Sequence, residues 1–100
     1  MKIVIQPSAI ADLRSGCRFY EGKEQGLGGY FLDSLYSDID SLHRYGGIHS
    51  IHFGRFHRLL SKRFPFAAYY EVRADVVLVR AVLDLRRDPA KLTSKMRRLE

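Results

Sequence analysis

The chain holds one cysteine, Cys17, and a lone thiol cannot close an internal disulfide. A disulfide framework is therefore excluded, and a reducing compartment is expected. Long hydrophobic runs are also scarce. The opening MKIVIQP offers only three consecutive strongly apolar residues before Pro7, too few for a secretory signal or a membrane span, so the expected location is the cytoplasm and no membrane partner is expected. Internal repeats, low-complexity tracts and linkers are missing from the 100 residues, a length that suits one domain, 1–100, with one core. Gly26, Gly28 and Gly29 neither follow a strand nor lead to a Lys-Ser/Thr pair, which excludes a phosphate loop and leaves a helix-to-helix turn. His43, His49, His52 and His57 match no compact metal-ligand spacing with Cys17, so neither a metal nor any other cofactor is expected. Cys17 itself falls on an apolar helix stripe and reads as a small buried hydrophobe.

What the chain does contain is enough apolar material to fold. Hydrophobic residues make up 46% and charged residues 28%, a balance that argues against disorder. Seventeen Lys and Arg against eleven Asp and Glu give a net charge of +6, so acidic partners are favoured by attraction alone. Ile3, Val4 and Ile5 predict a strand stopped by Pro7. Ser8 then reads as a helix N-cap, and Ile10, Leu13, Cys17 and Tyr20 mark the apolar stripe of a helix lasting to about Lys23. A second stripe, Phe31, Leu35, Ile39 and Leu42, runs to Tyr45-Gly46-Gly47, and the two helices form an antiparallel hairpin. Residues 48–55 read as a connector.

Three extended segments follow, roughly 56–62, 65–73 and 75–85, with links short enough to make them antiparallel neighbours. The last is apolar at both parities and interrupted only by Arg80, the pattern of a central strand covered on both faces. Simple alternation puts Arg80, Asp84 and Arg86 on one face and Val77, Val79, Ala81, Leu83 and Leu85 on the other. Tyr69 and Tyr70 must face opposite ways, one toward the helices and one out of the sheet. Asp88 as N-cap and Pro89 at the first helical position open a short helix with Leu92, Met96 and Leu99 on one side. The order β-α-α-β-β-β plus a short C-terminal helix predicts an α+β fold, a small, mostly antiparallel sheet packed on the N-terminal helical hairpin with its other face partly open.

This order, the segment FPFAAYYEV, the turn, VVLVRAVLDL and the closing RRDP together resemble the RelE/ParE superfamily of toxins from bacterial type II toxin–antitoxin modules. The resemblance spans about Ile3 to Pro89 and is most specific from Pro65 to Asp88, because RRD after a hydrophobic strand recurs in the ParE and plasmid-stabilisation branch. It implies a growth-inhibiting toxin neutralised by a cognate antitoxin with an acidic C-terminal segment, the complex reaching operator DNA through the antitoxin. RelE-type members cut mRNA on the ribosome, whereas ParE-type members inhibit DNA gyrase and lack the nuclease groups.

Ribose-phosphate cleavage needs groups that activate a 2′-hydroxyl, steady a phosphorane-like charge and protonate a leaving oxygen. Arg86 stands where RelE-type enzymes carry the phosphate-steadying arginine, but the arginine expected early in the middle strand falls near Ala67 and the terminal tyrosine near Leu92. Tyr70 and His57, with Tyr69 beside them, are the residues that would have to compensate. The ParE-like reading needs only a basic surface, and the comparison favours it. Arg80, Arg86, Arg87, Lys62, Arg63, Lys91 and Lys95 are the candidates for meeting target or antitoxin, since guanidinium binds carboxylate and phosphate alike. Each also has an ordinary alternative: Arg80 paired with Asp84 or Glu71, Arg86 and Arg87 in surface pairs with Asp84 or Asp88, Lys62 and Arg63 as the solubilising charge of a corner, and Lys91 and Lys95 on a frayed terminal segment. A basic RNA-binding domain is the third reading, and its usual stacking platforms are not evident.

Overall fold

A computed structural model describes residues 1–99 of the protein. Strand β1 (Lys2–Ile5) leads into helices α1 (Pro7–Lys23), α2 (Leu27–Asp40) and the one-turn α3 (Leu42–Tyr45), followed by strands β2 (Ile51–His52), β3 (Phe56–Leu60), β4 (Phe66–Arg73) and β5 (Val76–Asp84) and helix α4 (Pro89–Arg97). The five strands form one sheet in the order β1-β5-β4-β3-β2, antiparallel except for the β1–β5 pair. This is the α+β architecture expected of a RelE/ParE-like fold.

Local chemistry explains most of these boundaries. Pro7, whose ring fixes φ and whose missing N–H costs nothing at a helix start, stops β1 and opens α1. The N-cap is Gln6 rather than Ser8, which lies inside the first turn and donates its hydroxyl to the Arg80 carbonyl at 2.6 Å. Glu21 accepts the Gly26 and Gly28 amides at the start of α2, and these hydrogen bonds hold its carboxyl below the usual range. Gly26 sits at φ 89°, a left-handed turn that a side chain would disfavour. Asp88 caps α4 by accepting the Ala90 amide at 2.9 Å.

The helical hairpin covers one sheet face, burying Leu13, Tyr20, Phe31 and Leu35 against Phe66, Tyr70, Val77 and Val79. The opposite face is not open as the sequence suggested. Helix α4 lies on it, with Leu92, Met96 and Leu99 against Phe56, Ala67, Tyr69, Ala81 and Leu83. Tyr69 therefore does not look out of the sheet; it is buried beneath α4 and Phe53.

The central strand carries one irregularity with large consequences. Tyr70 pairs with Val79 and Tyr69 with Ala81, so Arg80 is an extra residue, a β-bulge. Beyond it the side-chain parity is reversed: Val77, Val79 and Val82 face the hairpin, whereas Ala81 and Leu83 face α4. The single-face alternation predicted from Val77 to Leu85 fails at that residue.

Candidate functional site at the end of the central strand

The bulge separates the arginines that simple alternation had put together. Asp84 and Arg86 do share a face, on the hairpin side. The Arg86 guanidinium donates through Nη2 and Nε to the Asp84 carboxylate at 2.9 and 3.0 Å, and through Nη2 to the Tyr20 hydroxyl at 3.2 Å. It also lies 5.9 Å from the centre of the Phe19 ring. The Arg86 hydrogen bond is the main reason the Asp84 carboxyl is held below the usual range, and the same contact holds the Arg86 cation protonated. About half of the Arg86 side chain still meets solvent, so the strand end presents an oriented guanidinium.

Arg80 projects to the α4 side instead. It is bound to Glu71, donates to the Leu99 carbonyl at 2.7 Å, and stands over the Phe56 ring. Arg55 and Arg73 hold the other oxygen of Glu71 at 3.1 and 3.4 Å. Burial alone would raise the Glu71 carboxyl, but the Arg80 hydrogen bond and the three cationic charges leave it lowered. Of the two pairings considered for Arg80, the one with Glu71 is present.

Arg63 joins the Arg86 neighbourhood through aromatic rings. Its guanidinium lies 6.0 Å from the Tyr30 ring centre, Tyr30 packs on Phe64, and Phe64 packs on Tyr20. Lys62 is fixed through its backbone, whose N–H donates to Asp38 Oδ2 at 3.4 Å. Phe19 and Tyr30 are each 48% exposed, so the turn end of the hairpin is an aromatic surface edged by Lys23, Arg63 and Arg86. Sequence reading had placed Tyr20 on an apolar helix stripe and Phe64 at the start of FPFAAYYEV, and had given Phe19 and Tyr30 no role. No periodicity links residues 19, 30, 64 and 86; only the fold brings them together.

Arg87 and Lys95 border a cavity of 190 Å³ between α1, α4 and β5, beside Asp12 and Asp84. Lys91 is exposed in the first turn of α4. Asp12 accepts the Val82 amide at 2.9 Å and stands 3.9 Å from Lys95. Its burial pushes the carboxyl up, against the opposing effects of that amide and of the cations.

The groups proposed to carry out RNA cleavage do not converge. Tyr70 is fully buried under the hairpin, its hydroxyl accepting the Gly47 amide and bonded to His49 Nδ1. His57 stacks on the Tyr70 ring with centroids 5.0 Å apart, and its Nδ1 bonds the His49 carbonyl at 2.6 Å. Tyr70 lies four residues along β4 from Phe66, the partner of Asp84, or about 13 Å from the strand end that carries Arg86. These three residues form a structural knot and a separate cation, not one reaction centre. Among the described residues no group of His, Cys, Asp and Glu is arranged to hold a metal ion, and no helix is long and apolar enough to cross a membrane.

No family model matches the chain, and no curated protein matches it in sequence. Among solved structures it is similar to a chain of the "Chromosomal ParDE TA system from P. aeruginosa", with a TM-score of 0.76 and 16% identity over 85% of this chain and 96% of that one. At this identity the match establishes the shared fold. The α+β architecture expected from the order of elements is thus shared with a chain of that ParDE system.

Proposed function

We propose that the protein is the toxin of a type II toxin–antitoxin module, of the ParE-like kind, which inhibits growth by binding a protein target such as DNA gyrase and is neutralised by a cognate antitoxin in the cytoplasm. The observation that carries this reading is the combination of a ParDE-like fold with an oriented, half-exposed Arg86 at an aromatic, cationic strand end and no gathered set of nuclease groups. A protein inhibitor needs a shaped surface, not a proton-transfer centre, and guanidinium beside half-exposed rings is the chemistry that anchors protein interfaces. The +6 charge suits an acidic antitoxin segment and an acidic target surface equally. Ribosome-dependent mRNA cleavage is the less favoured reading, since Tyr70 and His57 are committed to one another and lie apart from Arg86.

The target is tested with purified protein in gyrase supercoiling and cleavage assays. Inhibition by the native chain and its loss in folded Arg86→Ala is the expected result. Unimpaired supercoiling at high molar excess would remove gyrase as the target, and cleaved mRNA on toxin-loaded ribosomes would replace the reading with the nuclease one.

A further inference from the structure

Strand β5 runs over nine residues, but β1 pairs only with Val76 to Val79. From Arg80 to Asp84 the β1-side edge of the sheet therefore has no strand beside it. Helix α1 closes that edge with side chains: Ser8 donates to the Arg80 carbonyl and Asp12 accepts the Val82 amide, one helical turn apart. Because these groups are satisfied, the edge is blocked to an added strand. What remains is a groove between α1 and α4 along the blocked edge, narrowed at its middle by the 3.9 Å approach of Lys95 to Asp12. On one side of this waist lies the 190 Å³ cavity with Gly16, Phe19, Phe66 and Val82 in its walls, and on the other a 260 Å³ cavity with Ala81, Leu83 and Leu99.

Each cavity is of side-chain size and carries an arginine in its lining; the surface of the second is almost wholly apolar, and that of the first combines Phe19, Phe66 and Val82 with Asp12, Ser15 and Asp84. Arg87 borders the first and Arg98 the second, and among the described residues neither guanidinium has a hydrogen-bond or ion-pair partner. Of the acids in the groove, Asp84 is paired with Arg86 and Asp12 faces Lys95, so the charge left over, on Arg87 and Arg98, is positive. We infer that this groove docks a short segment of an acidic partner protein, which seats one apolar side chain in each cavity and sets carboxylates against Arg87 and Arg98. Two apolar anchors flanked by charge give such a segment both its affinity and its register. The inference deepens the toxin reading, on which the identity of that partner as an antitoxin rests; the groove itself stands on its geometry.

The test titrates ¹⁵N-labelled full-length protein with an acetylated, amidated ten-residue peptide of alternating Leu and Glu, and with matched Ser/Glu and Leu/Lys peptides. Saturable binding of the Leu/Glu peptide alone is expected, with shifts confined to residues 15–19, 82–87 and 95–99. The double variant Arg87→Glu/Arg98→Glu is expected to weaken it about tenfold, as two attractive exposed contacts become repulsive. Ser15→Phe, an exposed helix position at the mouth of the first cavity, is expected to block binding with an unchanged melting temperature. Equal binding of the Ser/Glu peptide, shifts centred elsewhere, or no saturation below millimolar peptide would each overturn the inference. Growth arrest does not enter this readout, so the groove and the toxin reading fail separately.

Discussion

Replacing Glu71 with alanine removes the one carboxylate that three guanidiniums share. Its side chain is only 11% exposed, and the three arginines differ: Arg80 is 16% exposed, Arg55 38% and Arg73 62%. The two outer arginines return to water when Glu71 is lost, so their pairs contribute at most a few tenths of a kcal/mol each. Arg80 cannot do so, because it is wedged over Phe56 beside α4 and keeps only the Leu99 carbonyl. Leaving a largely buried guanidinium without its charge partner is the dominant cost, and the total is about 2–3 kcal/mol. In a domain of this size that lowers the melting temperature by about 10–20 °C. Chemical and thermal unfolding of Glu71→Ala, Arg80→Met and the double variant measure it, with a coupling energy above about 1 kcal/mol expected from the cycle. A Glu71→Ala variant within 0.5 kcal/mol of the native protein would refute the claim that this network holds the bulge and α4 to the sheet.

Three further outcomes are expected. Met96→Ala, which empties a fully buried position between α4 and the sheet, should cost about 2–4 kcal/mol, and a near-neutral unfolding midpoint would show that α4 does not cover this face. Gly16→Ala should cost about 1–3 kcal/mol, because the new Cβ would sit 2.5 Å from the buried Phe31 ring, which Tyr20, Phe64 and Phe66 hold in place; a calorimetric midpoint equal to that of the native protein would contradict this. Asp84 and Glu71 are both lowered in the folded state, so their contribution is present above the unfolded carboxyl values near pH 4 and is lost as the pH falls through the lower folded ones, while Asp12, raised by burial, changes in the opposite sense. Stability measured between pH 5 and 2 should therefore fall less steeply for Asp84→Asn than for the native chain.

Much of this fold was legible before any coordinates. The two helix stripes, the Asp88-Pro89 helix start and the β4–β5 hairpin rest on periodicity and turn chemistry, which act locally, and the structure places each within a few residues of its predicted bounds. The bulge at Arg80 was not legible, because nothing in VVLVRAVLDL distinguishes an extra residue from an alternating one; in the fold the arginine meets Glu71, Phe56 and Leu99, none of them a sequence neighbour. The amphipathic stripe of α4 was visible, but a stripe does not say which surface it will cover. Strand β2 has two residues within a His- and Gly-containing connector, too short for any period. At the candidate site Arg86 stood out as the cation closing an apolar strand, whereas its partner Tyr20 and the ring surface with Phe19 and Tyr30 arise from contacts more than thirty residues apart in sequence. Asp12 carried no signal in the sequence, yet it accepts the Val82 amide at the sheet edge where β1 stops.

The central claim is that the chain is a toxin whose strand end carries its action, and inducible expression tests it most directly, with the native chain beside Arg86→Ala/Arg87→Ala. The account predicts growth arrest by the native protein and none by the folded double variant. Uninterrupted growth in cells that accumulate soluble, folded native protein would contradict it.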